Sequence, residues 1–124
     1  IGLMQLLPST AAQVANKLGH TGILDLKSPA INIRLGAEYL SGLLKRFDRN
    51  AVYALAAYNA GPHRVDEWKV SRSSLTPLEF IESIPFTETR DYVKRIIRNY
   101  ALYLLIYQNR DIHNINEILT IPHD

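Results

Sequence analysis

Asn50-Ala51-Val52-Tyr53-Ala54-Leu55-Ala56-Ala57-Tyr58-Asn59-Ala60-Gly61-Pro62 is the stretch that decides the fold. Asn50 suits an N-cap, because its side-chain carbonyl accepts an N–H that the first helical turn leaves unpaired. Residues 51–60 are almost wholly apolar. Gly61 and Pro62 then stop the helix, the glycine in a left-handed conformation and the proline unable to continue the ladder. A helix apolar on every side has no face to offer water, so it belongs in the middle of a helical domain. Tyr58 and Asn59 interrupt it just before the turn. Buried polar groups need partners, so these two either close an internal hydrogen-bond network or line a pocket, and physics alone leaves both readings open.

The flanking sequence is helical on both sides. Pro8-Ser9-Thr10 opens an Ala-rich run that ends at Gly19, a start signal and a C′ glycine in their expected places. Ser28-Pro29 opens the next element, in which Ile31, Leu35, Tyr39, Leu43 and Phe47 recur every four residues beside Leu40 and Leu44. That spacing makes one broad inward stripe. Arg64 to Lys69 reads as a short helix, followed by a polar loop from Ser71 to Ser74. Thr76-Pro77-Leu78-Glu79 is a capping box with proline at N1, and Ile84-Pro85-Phe86 breaks the helix it starts. Thr87 is the expected cap of the longest element, from about Glu88 to Asn109, with Val93, Ile96, Ile97, Tyr100, Leu104 and Tyr107 as its buried stripe. The tail from Asn114 to Leu119 is expected to add a turn or two before Pro122. No strand pattern, repeat or low-complexity tract is present, so the fold class is all-α in a single domain, residues 1–124.

Bulk properties exclude several functions. The chain has 124 residues, 47% of them hydrophobic, enough for a core that buries roughly two thirds of the unfolded surface. Its most apolar stretch, Tyr100 to Tyr107, falls far short of the ~18 residues a membrane span needs. The opening residues, IGLMQLLPS, lack the positive n-region and apolar run of a signal peptide, which does not argue against export. Fourteen Lys and Arg against twelve Asp and Glu leave a charge of +2, with no concentrated basic face of the kind nucleic acid selects. The densest basic stretch, Arg90, Lys94, Arg95 and Arg98, carries Glu88 and Asp91 within a turn and reads as a solvated, salt-bridged face. Cysteine is absent, which excludes disulfides and thiolate metal sites. His20, His63, His113 and His123 show no ligand spacing, so neither a metal nor a cofactor is expected. Trp68, close to the turn after Asn59, is either a carbohydrate platform or a packing anchor.

GLMQLLPSTA, NIRLGAEYL, ALAAYNAGP and FIESIPFTETRDYVKRI, in this order and spacing, resemble the SLT domain of soluble lytic murein transglycosylases, within the goose-lysozyme-like superfamily. The likeness runs from Gly2 to about Tyr103. GLMQ by itself is weak; combined with AYNAGP and IPFTETRDYV it is specific, and the last segment points to the soluble branch. The resemblance implies a lysozyme-like fold and a periplasmic lyase of the bacterial cell wall acting on peptidoglycan strands. It cleaves the N-acetylmuramic acid–N-acetylglucosamine bond without water and leaves a 1,6-anhydro sugar. One glutamate does both proton transfers there, first as general acid, which needs a raised pKa in an apolar setting, then as base toward the muramoyl C6 hydroxyl.

In the family that glutamate stands in a Glu-Ser motif on the helix before GLMQ. The sequence begins at Ile1, so the domain is expected to be truncated at its N-terminus, without its acid and inactive alone. Glu38, Glu67, Glu79, Glu82 and Glu117 read as surface or capping positions. Glu88, in the ETR motif, is implied to be a groove carboxylate, or else merely favours the helix dipole. Gln5 is implied to contact the sugar near the cleaved bond, and Leu7 to line the groove where some relatives have methionine. Ala57, Tyr58 and Asn59 are implied to face the substrate, the Tyr58 hydroxyl orienting the acid. The alternative is a glycan-binding module that keeps these contacts without catalysis. Loss of a first helix would expose apolar surface, so self-association, or a partner segment supplying the missing piece, is expected.

Overall fold

The computed structural model describes residues 2–114 and 116–122. His123, and Ile115 within the predicted tail, lie outside them. Among the described residues seven helices follow one another: α1 (Pro8–Lys17), α2 (Pro29–Arg46), α3 (Ala51–Ala60), α4 (Pro62–Ser71), α5 (Pro77–Ser83), α6 (Thr87–Tyr107) and α7 (Asn116–Leu119). Among the described residues no strand forms; an isolated antiparallel bridge joins Asn50 and Thr120. The chain divides into two compact units, Ile1–Gly42 and Leu43–Asp124, with the boundary inside α2.

In the first unit, α1 starts on Pro8 and buries Ala11, Val14 and Ala15. It ends in a Schellman motif: the Gly19 N–H donates to Asn16 O and the His20 N–H to Ala15 O. Gly19, at φ +70, supplies the left-handed residue this motif needs. Leu35 is buried and Ile31 half-buried on α2, as the four-residue spacing requires.

The second unit is built around α3, whose Ala51, Val52, Ala54, Leu55, Ala56 and Ala57 are all buried. It packs against α4, α6 and α7. Small side chains on every face are what allow neighbours on several sides. Asn50 caps it, accepting from the Tyr53 N–H at 3.1 Å. Gly61 ends it, but not in the left-handed helical conformation. With φ +95 and ψ +144 it is extended, in a region open to glycine alone. Gly61 then serves as the N-cap of α4, and Pro62 at N1 starts that helix two residues ahead of the expected Arg64. The α5 capping box forms in full, with the Thr76 N–H donating to Glu79 Oε2 at 2.8 Å and the Glu79 N–H to Thr76 Oγ1 at 3.3 Å.

Two expectations for α6 are corrected. Thr87 is its first helical residue rather than its cap; Phe86 holds the cap position without a side-chain bond. Instead, Arg90 ties the turn together, donating from Nη1 to Ile84 O at 3.0 Å and from Nη2 to Thr87 Oγ1 at 3.4 Å. Val93, Ile97 and Leu104 are buried as expected, but Tyr107 is 75% exposed. The cause is length: α6 has 21 residues and α3 only 10, about 31 Å against 15 Å. Leu102, Tyr103, Leu105 and Ile106 on the last turns are exposed with Tyr107. On the basic face Lys94 pairs with Glu82 of α5 at 2.6 Å rather than with its own helix. Both ends are solvated, so the pair contributes roughly 0–1 kcal/mol.

Candidate functional site

In the first unit, a short turn precedes α1. Gly2 to Gln5 form a turn closed by the Gln5 N–H on Gly2 O at 3.2 Å, and the Gln5 side-chain amide donates to the same oxygen at 2.7 Å. Gln5 has φ +52, a left-handed conformation that a residue with a Cβ adopts only when its surroundings impose it. Asn32, on α2 and 0% exposed, supplies part of that imposition. Its Oδ1 accepts from the Met4 N–H at 2.7 Å and its Nδ2 donates to Leu26 O at 3.0 Å. Gly36, one turn on, leaves room for Met4: a Cβ there would lie 2.5 Å from Met4 Cβ. Gly2, at φ +73, likewise has no room for a side chain against Asn32 and Leu26 O. Leu6 is buried, while Leu7 is 67% exposed and takes the N-cap position of α1. Gln5 and Leu7 therefore both stand at the surface on a braced turn. Asn32 and Gly36, which brace this turn, were not singled out from the sequence. The available signal was an asparagine and a glycine interrupting an apolar helix, a pattern that usually has a packing reason.

In the second unit, the end of α3 meets the start of α6. The Thr89 hydroxyl, buried at the first turn of α6, donates to Asn59 Oδ1 at 2.7 Å. Asn59 thus joins an internal hydrogen bond while staying half-buried. Tyr58 is half-buried and stacks on Tyr92, with ring centroids 6.4 Å apart and planes within 12°. Glu88 is exposed beside Thr89, in the first turn of α6, a position compatible with a ligand contact and with dipole stabilisation alike. Ala57 needs correction: it is 0% exposed, so it offers a ligand no surface. Its methyl packs the interior of the unit, and its carbonyl accepts the Gly61 N–H at 2.8 Å.

Trp68 is a packing anchor, only 7% exposed, with its ring edge-on to Phe86 at 5.4 Å. The Arg64 guanidinium covers the other ring of that pair, Phe86, at 4.8 Å. Among the described residues, no three His, Cys, Asp or Glu side chains group to hold a metal, and no helix is long and apolar enough to cross a membrane.

Burial raises the Tyr92 phenol above its ordinary value of 10.0, partly offset by the Arg95 guanidinium, which lies 5.8 Å from the ring centre. The fold thus favours the neutral phenol. The stability this represents is present below pH 10 and is lost as pH rises through the higher folded value. Thermal melts across roughly pH 9 to 11 are expected to show a steeper alkaline loss for the parent than for Tyr92→Phe. Equal slopes would contradict a buried phenol.

The fold is all-helical among the described residues, as in the lysozyme-like class. The Transglycosylase SLT domain family matches residues 1–81, across the boundary between the two units. A protein of Haemophilus influenzae is 46% identical over 114 residues, 89% of this chain and 19% of its own length. The soluble lytic murein transglycosylase of Salmonella typhimurium is 41% identical over 106 residues, 82% of this chain and 16% of its own. In three dimensions the chain superposes on an inactive glutamate-to-glutamine mutant of the lytic transglycosylase Slt of Pseudomonas aeruginosa. The TM-score is 0.80 at 42% identity, covering 89% of this chain and 18% of the other. The 70-kDa soluble lytic transglycosylase of Escherichia coli gives a TM-score of 0.78 at 38% identity, covering 83% and 17%. The chain belongs to the transglycosylase SLT domain family. It spans less than a fifth of the length of these relatives.

Proposed function

We propose that this chain forms the glycan-binding part of a peptidoglycan lytic transglycosylase. The observation that carries the reading is the α3–α6 corner, where the AYN and ETR segments of the family pattern meet through the Asn59–Thr89 bond. The reaction breaks the β-1,4 bond between N-acetylmuramic acid and N-acetylglucosamine. A carboxylic acid protonates the departing oxygen. The resulting carboxylate then takes the proton of the muramoyl C6 hydroxyl, whose oxygen bonds to C1. The product is a 1,6-anhydro sugar, and no water is consumed.

Gln5, Leu7, Tyr58, Asn59 and Glu88 are the residues assigned to the glycan. Gln5 and Glu88 offer exposed polar groups, Tyr58 a half-buried ring, and Leu7 an apolar surface. No metal or cofactor enters the scheme. All six glutamates are exposed, whereas a general acid active near neutral pH needs an apolar setting to hold its proton. We therefore place the acid/base outside residues 1–124. The same exposure favours a second reading, a glycan-binding module without catalysis. The site of action would be the periplasmic face of the cell wall.

The test is to digest peptidoglycan sacculi with the 124 residues alone and with the natural polypeptide that carries them. 1,6-Anhydromuropeptides from the latter only are the expected result. Binding of both to sacculi with no product would leave the binding module as the answer. The exposed last turns of α6 also support self-association of the isolated 124 residues; a concentration-independent monomer in sedimentation velocity would end that idea.

A further inference from the structure

We propose that Asn32, which touches no substrate in this scheme, is a positioning residue that sets the register of the Gln5 amide. The claim rests on the reading of Gln5 as a glycan contact. Three observations converge on one short turn. Asn32 is fully buried, yet one of its amide atoms accepts the N–H of Met4, the residue immediately before Gln5. Its other amide atom is anchored on Leu26 O, so the asparagine cannot follow the turn if the turn moves. Gln5 itself stands at φ +52, a strained backbone conformation for a residue with a Cβ.

A local bond from its own side chain to Gly2 O helps, but it joins two members of the same turn and fixes neither in space. Asn32 links the turn to α2 by a hydrogen bond, beside the packing of Met4 on Gly36. An amide has two N–H donors and one carbonyl acceptor. With one donor spent on Gly2 O, the orientation of the other two groups is set by the backbone angle at Gln5. A displacement of about 1 Å in a group that orients substrate costs on the order of 100-fold in rate. A buried asparagine that merely satisfied the backbone would instead change the folded fraction and leave each folded molecule fully active.

The experiment is a double-mutant cycle in the natural full-length chain, using Gln5→Ala, Asn32→Leu and the pair, with turnover of sacculi normalised to folded protein. Asn32→Leu removes the acceptor and is expected to lower kcat 10- to 100-fold with KM changed little. The double variant should be no worse than the poorer single one, because both act on the same contact. Asn32→Asp keeps an acceptor for the Met4 N–H, so it is expected to lose stability but restore most of kcat. Losses that multiply in the double variant would overturn the proposal, as would a loss in Asn32→Leu that tracks unfolding alone.

A second readout separates this inference from the proposed activity. The HN–Hα coupling of Gln5, measured by NMR, reports its φ whether or not the protein cleaves anything. It should leave the left-handed value in Asn32→Leu and keep it in Asn32→Asp. Retention in Asn32→Leu would refute the positioning role even if the enzyme is active. An inactive parent with the coupling changed as expected would sink the activity and not the role.

Discussion

Phe47→Ala is expected to lower the stability of the second unit by about 3–5 kcal/mol, the largest single loss we foresee. Phe47 is 2% exposed and follows the last residue of α2. Its ring meets Tyr53 edge-on at 6.2 Å, and Tyr53 meets Phe80 edge-on at 4.8 Å, so three rings form one chain through the interior. The Lys69 ammonium lies 5.4 Å from the Phe47 ring and 5.3 Å from the Tyr53 ring. Truncation would leave a cavity that these neighbours, held on three other segments, cannot fill. The loss is a large share of the 5–15 kcal/mol a domain of this size commands (about a fifth or more). Urea titration followed by near-ultraviolet dichroism measures it. A midpoint lowered at unchanged slope is the expected outcome, and a change below about 1 kcal/mol would mean that the cluster is looser than described.

Gly36→Ala is expected to destabilise by about 1–3 kcal/mol, although alanine is the better helix former by ~1 kcal/mol. Packing outweighs propensity here because the new methyl would lie 2.5 Å from Met4 Cβ and 2.6 Å from its Cγ. The first of those atoms is fixed to the backbone, whose N–H is held by Asn32, so rotation of the methionine cannot relieve the overlap. Gly42, on the same helix, has open space around it, and Gly42→Ala is expected to stabilise by about 0.5–1 kcal/mol. Opposite signs at two glycines of one helix are the signature, read as paired melting temperatures. If both substitutions stabilise, the close approach of α2 to the GLMQ turn is wrong.

What the sequence revealed was what short-range chemistry decides. Asn50 on α3 and the box of Thr76 and Glu79 on α5 were legible because cap and acceptor lie within three residues of each other. The burial of α3 followed from its composition. The role of Thr87 was misjudged because Arg90 competes for its hydroxyl, and α6 begins one residue sooner than a threonine cap would allow. Tyr107 was placed inside because periodicity cannot tell how far the neighbouring helix extends. Ala57 carries a family position, yet the packing of α3 seals it. Asn32 and Gly36 stayed hidden for another reason. Each acts on Met4, 28 and 32 positions away in sequence, and no local pattern records such a pairing. Of the candidate site, Gln5, Tyr58, Asn59 and Glu88 were readable only through ordered motifs, while the Asn59–Thr89 and Tyr58–Tyr92 pairings emerged from the fold.

The most direct test of the account is the chemistry of the muramoyl end released from sacculi by the natural polypeptide carrying these residues, determined by mass spectrometry before and after borohydride reduction. The account predicts 1,6-anhydro ends, lighter than hydrolytic products by one water and inert to borohydride. Reducing muramic acid ends would contradict it, because water rather than the C6 hydroxyl would then have attacked the glycan.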